Sequence, residues 1–235
     1  MNKKIIATDF DGTFTINRKI PDNTRKNIAR WRNAGNYFGF VTGRGTDFFN
    51  LLEEMNIDYV DFVIIYNGSL VCDIKGNIIH EDLIDRDMFS ILEKEFEKTG
   101  DACSYDKVGE DLFYHHYYAR YETPDRALQV ATVINEKYGD KVTAFVNGDN
   151  VNIGVVGSGK AQGVYHILDF YGFSRDAAAV IGDDLNDIEM IKEHNGWAVK
   201  TARKEVLEIA PHICENVGDL ADILLKENEK SKGAL

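Results

Sequence analysis

Apolar positions in the first third of the chain alternate between strand-like and helix-like spacing. Short apolar runs at Ile5–Thr8, Tyr37–Val41 and residues 60–66 predict strands. Between these runs, residues 21–35 and 46–55 carry apolar side chains with helical spacing, bounded by Pro and Gly signals, which predicts helices. Strands that alternate with helices indicate a parallel sheet covered on both faces.

The middle third has a different pattern. Residues 85–99 and 123–138 predict helices, and the aromatic segment 112–121 predicts a strand. The sequence Asn-Gly-Asp-Asn at residues 147–150, flanked by Val-rich segments, predicts a hairpin turn. Helices beside antiparallel strands indicate a smaller α+β domain, which we expect to span residues 79–155.

After residue 156 the alternation of strands and helices returns. The predicted elements are, in order, a helix at 160–171, a strand at 178–181, a helix at 184–193, a strand at 197–199, a helix at 203–210, a strand at 212–214 and a helix at 218–226. We therefore predict an α/β fold. A doubly wound, Rossmann-like core is built from residues 1–78 and 156–235 and is interrupted by the inserted cap domain.

Chemically reactive residues follow the predicted strands of the core. The segments are DFDGT at residues 9–13, VTGR at residues 41–44 and GDDLND at residues 182–187, and Lys160 begins the helix after the cap. In doubly wound sheets, ligands bind beyond the carboxyl ends of the strands. We therefore expect these four segments to meet at one edge of the sheet.

Such a site suits a metal ion and a phosphate group. Clustered carboxylates repel one another unless a cation neutralises them, and oxygen ligands favour Mg²⁺. Thr42, Gly43 and Lys160 offer hydroxyl, amide and ammonium donors to phosphoryl oxygens. A carboxylate nucleophile then becomes plausible because the cations cancel its repulsion with phosphate. A second acid two residues away would protonate the leaving group and then activate water.

These motifs, in this order, resemble the four motifs of the haloacid dehalogenase superfamily of phosphohydrolases. The resemblance extends from residue 9 to at least residue 187. The position of the cap, between VTGR and Lys160, is similar to the subgroup that contains Cof-type sugar phosphatases and archaeal-type phosphoglycolate phosphatases. The small cap and the spacing between Lys160 and Asp183 look more like the phosphoglycolate phosphatase branch.

The resemblance implies a catalytic pair and a Mg²⁺ site. Asp9 matches the nucleophile that becomes an aspartyl-phosphate, and Asp11 matches the general acid and base. Asp9, the backbone carbonyl of Asp11, and Asp183 match metal ligands. Asp187 matches a carboxylate that completes the metal site directly or through water. The neighbouring Asp184 belongs either to the site or to a helix cap.

The resemblance also implies residues that hold the phosphate or the substrate. Thr42 and Lys160 match phosphate-binding positions, next to the Gly43 amide. Asn186 matches a position that supports the lysine and the phosphate. Arg44 resembles an arginine close to the substrate.

The main hypothesis is a Mg²⁺-dependent phosphomonoesterase that hydrolyses phosphoglycolate, a sugar phosphate or a similar small metabolite. One alternative is a phosphosugar mutase that uses the same phosphoenzyme. Another is a non-catalytic phosphoacceptor switch like a response-regulator receiver, although receivers have no cap and are about half as long.

In the cap, adjacent strand residues face opposite sides. His115 and His116 therefore cannot share one metal, and a substrate contact from Tyr114, His116 and Arg120 is a further hypothesis.

Composition narrows the class of partner. Hydrophobic residues make up 44% and charged residues 28% of the chain, as in globular proteins. The 27 basic and 39 acidic residues give a net charge of −12, which disfavours nucleic acid and anionic membranes. The three cysteines have no CxxC spacing, which indicates reduced thiols. We find no signal-peptide or membrane-spanning pattern and expect a cytoplasmic monomer or homodimer.

Overall fold

The computed structural model describes residues 3–108, 113–114 and 116–233. The strands are β1 (Ile5–Thr8), β2 (Tyr37–Val41), β3 (Phe62–Ile65), β4 (Leu70–Asp73), β5 (Ile78–Glu81), β6 (Ile84–Asp85), β7 (Ser104–Val108), β8 (Phe113–Tyr114), β9 (His116–Arg120), β10 (Val142–Asn147), β11 (Asn150–Val155), β12 (Ala178–Gly182), β13 (Trp197–Val199) and β14 (His212–Cys214). The helices are α1 (Asp22–Asn33), α2 (Phe48–Glu54), α3 (Arg86–Thr99), α4 (Pro124–Tyr138), α5 (Lys160–Tyr171), α6 (Ile188–Glu193), α7 (Lys204–Ile209) and α8 (Val217–Gly233).

The large sheet has the strand order β14-β13-β12-β1-β2-β3-β4-β5. The strands from β14 to β3 are parallel, and β4 and β5 continue the sheet in antiparallel orientation. At its centre, β1 pairs with β12, with Ile5 opposite Ala178. The two ends of the chain therefore build one sheet, and the predicted α/β fold class is confirmed.

Helices cover both faces of this sheet. The side chain of Ile6 belongs to a buried layer with Ile28 and Trp31 of α1, whereas Ile5 belongs to a second layer with Val164 of α5. Consecutive residues of a strand point to opposite faces, so a short fully apolar strand is buried on both sides. None of the helices in the part of the chain that the structure describes is long and apolar enough to cross a membrane.

An aromatic cluster lies below the carboxyl end of the central strands. Phe10, which separates Asp9 from Asp11, packs edge-to-face on Phe40 and Phe48, with ring centroids 5.2 and 4.8 Å away. Phe14 packs on Phe40 in the same geometry, at 4.8 Å. All of these rings are buried. Edge-to-face pairs add to the free energy of burial, so the loop after β1 rests on a well-packed base.

The cap contains a second sheet, with the antiparallel order β10-β11-β9-β7, and a small pair formed by β6 and β8. Buried side chains from α3, α4 and these strands form its own hydrophobic core. The turn predicted at residues 147–150 joins β10 and β11, since Asn147 lies opposite Asn150. The predicted strand at 112–121 corresponds to β8 and β9, and Leu112 and His115 lie outside the described residues.

The strands β4 and β5 were not predicted. Residues of β5 are half-buried or exposed because it is the edge strand, so its sequence lacks a continuous apolar run. A β-bulge between Val71 and Cys72 also interrupts the register of the pair. Because β5 crosses the expected domain boundary at residue 79, we propose that the core extends to about residue 82 and that the cap begins with β6.

Replacement of Phe40 by Ala should lower the free energy of unfolding by about 3–5 kcal/mol, because a buried ring is removed from the aromatic cluster. Urea denaturation measures the change. Phe170→Ala is the matched control, since this ring is 57% exposed and its removal should change stability by about 0.5 kcal/mol or less. Equal losses for the two variants would contradict the assigned core.

Candidate active site

The predicted residues meet at one edge of the large sheet. Asp9 directly follows β1, and its amide donates a hydrogen bond to the carbonyl of Ile181 in β12 (2.9 Å). Thr42 directly follows β2, and its amide donates to the carbonyl of Ile64 in β3 (2.8 Å). Asp183 follows β12. The carboxyl ends of adjacent parallel strands thus bring these residues together, as the sequence predicts.

Lys160 links two of the carboxylates. Its Nζ donates to Oδ1 of Asp9 (2.6 Å) and to Oδ1 of Asp187 (2.7 Å). The side chains of all three residues are at most 9% exposed. A charge this deeply buried must be paired, and Lys160 pairs with both carboxylates. The three residues therefore form a buried ion triad.

Asp187 is fixed by its own turn. It ends a 3-10 turn, Leu185–Asp187, and its Oδ2 accepts hydrogen bonds from the amides of Asp183 (2.9 Å) and Asp184 (3.0 Å). A side chain at Gly182 would collide with Asp187, because a Cβ there would lie 2.4 Å from the Asp187 Cβ. Both oxygens of Asp187 are thus engaged within the protein, one by Lys160 and one by backbone amides.

Asp183 lies against the loop that follows β1. Its Oδ1 accepts a hydrogen bond from the hydroxyl of Thr13 (2.5 Å). Gly12 has a φ of +91°, and a Cβ on it would lie 2.2 Å from Oδ2 of Asp183. Only glycine allows this backbone conformation and this close approach together. The neighbouring Asp184 accepts from the amide of Leu185 (2.6 Å) and caps the turn.

The cluster carries negative charge that Lys160 alone does not neutralise. Burial raises the pKa of Asp9 well above its ordinary value, and Asp187 and Asp183 raise it further against the opposing effect of Lys160. Burial also raises the pKa of Asp183 to about 6. Burial alone would lower the pKa of Lys160, but Asp187 and Asp9 together hold it above its ordinary value. Three carboxylates around one ammonium leave an excess of negative charge.

The donor set fits a hard divalent metal ion. Oxygens of Asp9, Asp183 and Asp187 lie within 4.8 Å of one another. Among the described residues, hydrogen bonds engage Oδ1 of Asp9 and Oδ1 of Asp183, which leaves Oδ2 of each for a ligand. Carboxylate oxygens at a partly open position are typical ligands of Mg²⁺, which retains several waters. The site could therefore hold Mg²⁺ on Asp9 and Asp183, next to Asp187.

Asp11 points away from this cluster. Its two oxygens accept hydrogen bonds from Nε (2.6 Å) and a terminal nitrogen (2.9 Å) of Arg44. The Asp11 side chain is 56% exposed, whereas Asp9 is buried. The loop thus gives the two aspartates different directions, and the Asp11 side chain is not among the clustered carboxylates. A metal contact through its backbone carbonyl stays a prediction.

Asn67 is a further site residue that sequence analysis missed. It adopts a left-handed conformation (φ +53°) after β3, and its amide donates to the carbonyl of Thr42 (3.0 Å). Its Oδ1 accepts from Nδ2 of Asn186 (3.1 Å), and it lies close to Gly43. Its own Nδ2 is buried without a hydrogen-bond partner among the described residues. The strand-end rule that identified Thr42 applies equally after β3 and points to Asn67.

A cavity of about 380 Å³ separates this edge of the sheet from the cap. From the core side it is lined by Gly43, Gly45, Thr46, Asp47 and Tyr66, and from the cap side by His116, Tyr118 and Asn152. The ring of His116 stacks on Tyr66, and its Nε2 is 3.0 Å from Oδ1 of Asn152. Burial lowers the pKa of His116 to about 4, so this imidazole is neutral at pH 7.

The expected cap contacts are partly present. His116 lines the cavity, whereas Arg120 is bound to Asp149 (2.9 Å) and is exposed. The side chains of Tyr114 and His115 lie outside the described residues. Tyr117 faces the opposite side of β9 and packs in the cap core, as strand alternation requires.

Comparison with known proteins identifies the family. The model of the haloacid dehalogenase-like hydrolases matches residues 6–138 and 119–222. The chain belongs to this family of hydrolases. The resemblance to its Cof-type members and the predicted enzyme class, a haloacid dehalogenase-like phosphatase, are confirmed.

Individual relatives span nearly the whole chain. A 5-amino-6-(5-phospho-D-ribitylamino)uracil phosphatase, YcsE of Bacillus subtilis (strain 168), is 28% identical, with 92% of each chain covered. A phosphatase of the same name, YbjI of Escherichia coli (strain K12), is 23% identical over 96% of this chain and 97% of its own length. The solved structure of a haloacid dehalogenase subclass IIB sugar phosphatase superposes with a TM-score of 0.76 at 18% identity, over 99% of this chain and 100% of its own.

The raised pKa of Asp183 gives a stability prediction. A carboxyl group with a higher pKa in the folded protein holds its proton more tightly when folded. The stabilisation that the Asp183 carboxyl contributes is therefore complete below its pKa in the unfolded chain, about 3.9. This stabilisation is lost as pH rises through the folded-state pKa of about 6. In chelator, we expect wild type to lose stability between pH 5 and pH 7.5. Asp183→Asn should lose less and be about 2 kcal/mol more stable at pH 7.5.

Urea denaturation in EDTA at both pH values measures this difference. Asp140→Asn is the control, since Asp140 is an exposed residue of the cap. Parallel pH profiles for wild type and Asp183→Asn would contradict the predicted strain of the buried carboxylates.

Proposed function

We propose that this protein is a Mg²⁺-dependent phosphomonoesterase that hydrolyses a small phosphorylated metabolite through an aspartyl-phosphate on Asp9. The observation that carries the proposal is the buried Asp9 carboxylate, which Lys160 holds by one oxygen while the other has no hydrogen bond from the described residues.

In the first step, a carboxylate oxygen of Asp9 attacks phosphorus. A bond from Asp9 to phosphorus forms, and the bond from phosphorus to the leaving-group oxygen breaks. Lys160 orients the nucleophile and compensates the negative charge of the transition state. A bound Mg²⁺ would supply the remaining positive charge against the phosphoryl oxygens. The Thr42 hydroxyl, the Gly43 amide and the amide of Asn186 would position those oxygens.

Asp11 would act on the leaving group. It gives a proton to the departing alkoxide and then takes a proton from the water that attacks the phosphorus of the aspartyl-phosphate. This second attack releases inorganic phosphate and regenerates Asp9. In the free protein both oxygens of Asp11 are bound by Arg44, so Asp11 must exchange one of these bonds for the leaving-group oxygen. Arg44 keeps its other hydrogen bond to Asp11.

The cavity favours a neutral, hydroxyl-rich leaving group. Its lining, among the residues that the structure describes, offers hydroxyl, amide and neutral imidazole groups together with the carboxylate of Asp47, and it includes neither Lys nor Arg. A carboxylate on the leaving group, as in phosphoglycolate, would meet no cation there and would be repelled by Asp47. We therefore favour a polyol or sugar phosphate. The two relatives named above are phosphatases of a compound with a phosphoribityl chain.

The remaining sequence-based expectations stay part of this proposal. We propose a cytoplasmic protein, monomeric or homodimeric, whose partner is its small-molecule substrate. Its net charge of −12 disfavours nucleic acid and anionic membranes as partners. The mutase and the phosphoacceptor switch are the alternative outcomes of the first experiment.

Phosphate release from a panel of sugar, polyol and aryl phosphates tests the reaction. Wild type should release phosphate with Mg²⁺ and not with chelator, and Asp9→Asn should lower kcat by about a thousandfold or more, because the nucleophile is lost. Asp140→Asn should retain the wild-type rate. A retained bisphosphate intermediate would instead identify a mutase. A long-lived phosphorylated Asp9 without turnover would identify a switch.

The ratio of kcat/KM for a polyol phosphate and for phosphoglycolate tests the cavity. Wild type should prefer the polyol phosphate, and Tyr118→Phe should lower kcat/KM for it by up to about tenfold, the value of one hydrogen bond. Asp47→Asn should increase the use of phosphoglycolate by removing the repulsion. The aryl phosphate serves as control, since it offers no hydroxyl to this surface. A preference for phosphoglycolate in wild type would overturn this assignment while leaving the phosphatase reaction intact.

A further inference from the structure

A second cluster of metal-ligating side chains lies outside the active site. Nitrogens of His80 and His166 and an oxygen of Asp82 lie within 4.8 Å of one another. Nε2 of His80 is 3.2 Å from Oδ1 of Asp82, and the two imidazole rings stack with centroids 3.5 Å apart at an angle of 14°. These residues are all partly exposed, so the cluster is open to ions from solvent.

The three residues come from two separate elements. His80 belongs to the edge strand β5, and Asp82 follows this strand. The backbone amide of Asp82 donates a hydrogen bond to the carbonyl of Ser69 (2.8 Å). His166 lies on α5. The ring nitrogens of His166 have no hydrogen-bond partner among the described residues, so the lone pair of the imidazole is available to a ligand.

We propose that His80, Asp82 and His166 form a binding site for a divalent transition-metal ion of the Zn²⁺ type, distinct from the Mg²⁺ site. Two imidazoles and one carboxylate, with a fourth position left to water, are a frequent ligand set of Zn²⁺. Mg²⁺ prefers oxygen ligands, so it would not compete well for this site.

The distances suit this ligand set after small rotations. Ligands of a tetrahedral zinc ion, at about 2.0–2.2 Å from the metal, are about 3.4 Å apart. The His80–Asp82 pair already has this separation, at 3.2 Å. The His166 nitrogen must approach by rotation of its ring out of the stack, which its partial exposure allows. The carboxylate of Asp169, one turn further along α5, adds negative potential near His166, which its ion-pair partner Arg175 partly offsets.

The site formed by His80, Asp82 and His166 connects two elements of the core. It joins the last strand of the large sheet before the cap to α5, the helix that begins with Lys160. A bound ion would fasten these two elements to each other. The proposal does not depend on the phosphatase reaction, since it concerns residues outside the ion triad.

Titration with Co²⁺ in saturating Mg²⁺ tests the proposal, because Co²⁺ in a low-symmetry nitrogen and oxygen site absorbs visible light. We expect one equivalent to bind to wild type with a visible band, and Zn²⁺ to displace it. Zn²⁺ at a hundredfold excess over its Kd should raise Tm by about 5 °C or more. The double variant His80→Ala/His166→Ala and the milder Asp82→Asn should weaken binding at least about tenfold.

Two control variants separate this site from others. His212→Ala removes an exposed histidine that lies on β14 and should leave the titration unchanged. Asp183→Asn alters the carboxylate cluster and should also leave the band unchanged. An unchanged titration in Asp82→Asn and in the folded double variant would overturn the proposal. So would loss of the band in Asp183→Asn, or the absence of Co²⁺ binding to wild type at micromolar concentrations.

Discussion

The ammonium group of Lys160 lies between the carboxylates of Asp9 and Asp187, and the geometry of the site depends on this buried ion triad. Loss of Lys160 would leave two carboxylates without this counter-ion in a dry environment, where an unpaired ion costs several kcal/mol. The triad also fixes the positions of its side chains relative to one another. Asp187 is held by two backbone amides, so it fixes Lys160, and Lys160 in turn fixes one oxygen of Asp9.

The loops around the triad place two aspartates in different environments. Asp9 and Asp11 are separated by one residue, yet one is buried against a lysine and the other is exposed against an arginine. Phe10 between them is anchored in the aromatic cluster, which turns the flanking side chains in different directions. The close approach of Gly12 to Asp183 holds this loop against the segment that follows β12.

The parallel core and the position of the site could be predicted because short apolar strands end in conspicuous polar motifs. The rule that ligands bind at the carboxyl ends of strands brought Asp9, Thr42 and Asp183 together in advance. The same rule, applied after β3, would also have identified Asn67. Two features could not be predicted in this way. The strand β5 is an exposed edge without a continuous apolar run, and the pairing of Asp11 with Arg44 depends on loop geometry that spacing alone does not encode.

The central position of β1 has a consequence for how the chain reaches its native state. One neighbour of β1 is β2, which is close in sequence, but the other is β12, which is made only after the entire cap. During synthesis, one side of this fully buried strand must wait for a partner about 170 residues away. The cap is continuous in sequence and has its own core, so it can form first and bring the two halves of the sheet close together. The inserted domain thus bridges the long chain closure between β1 and β12.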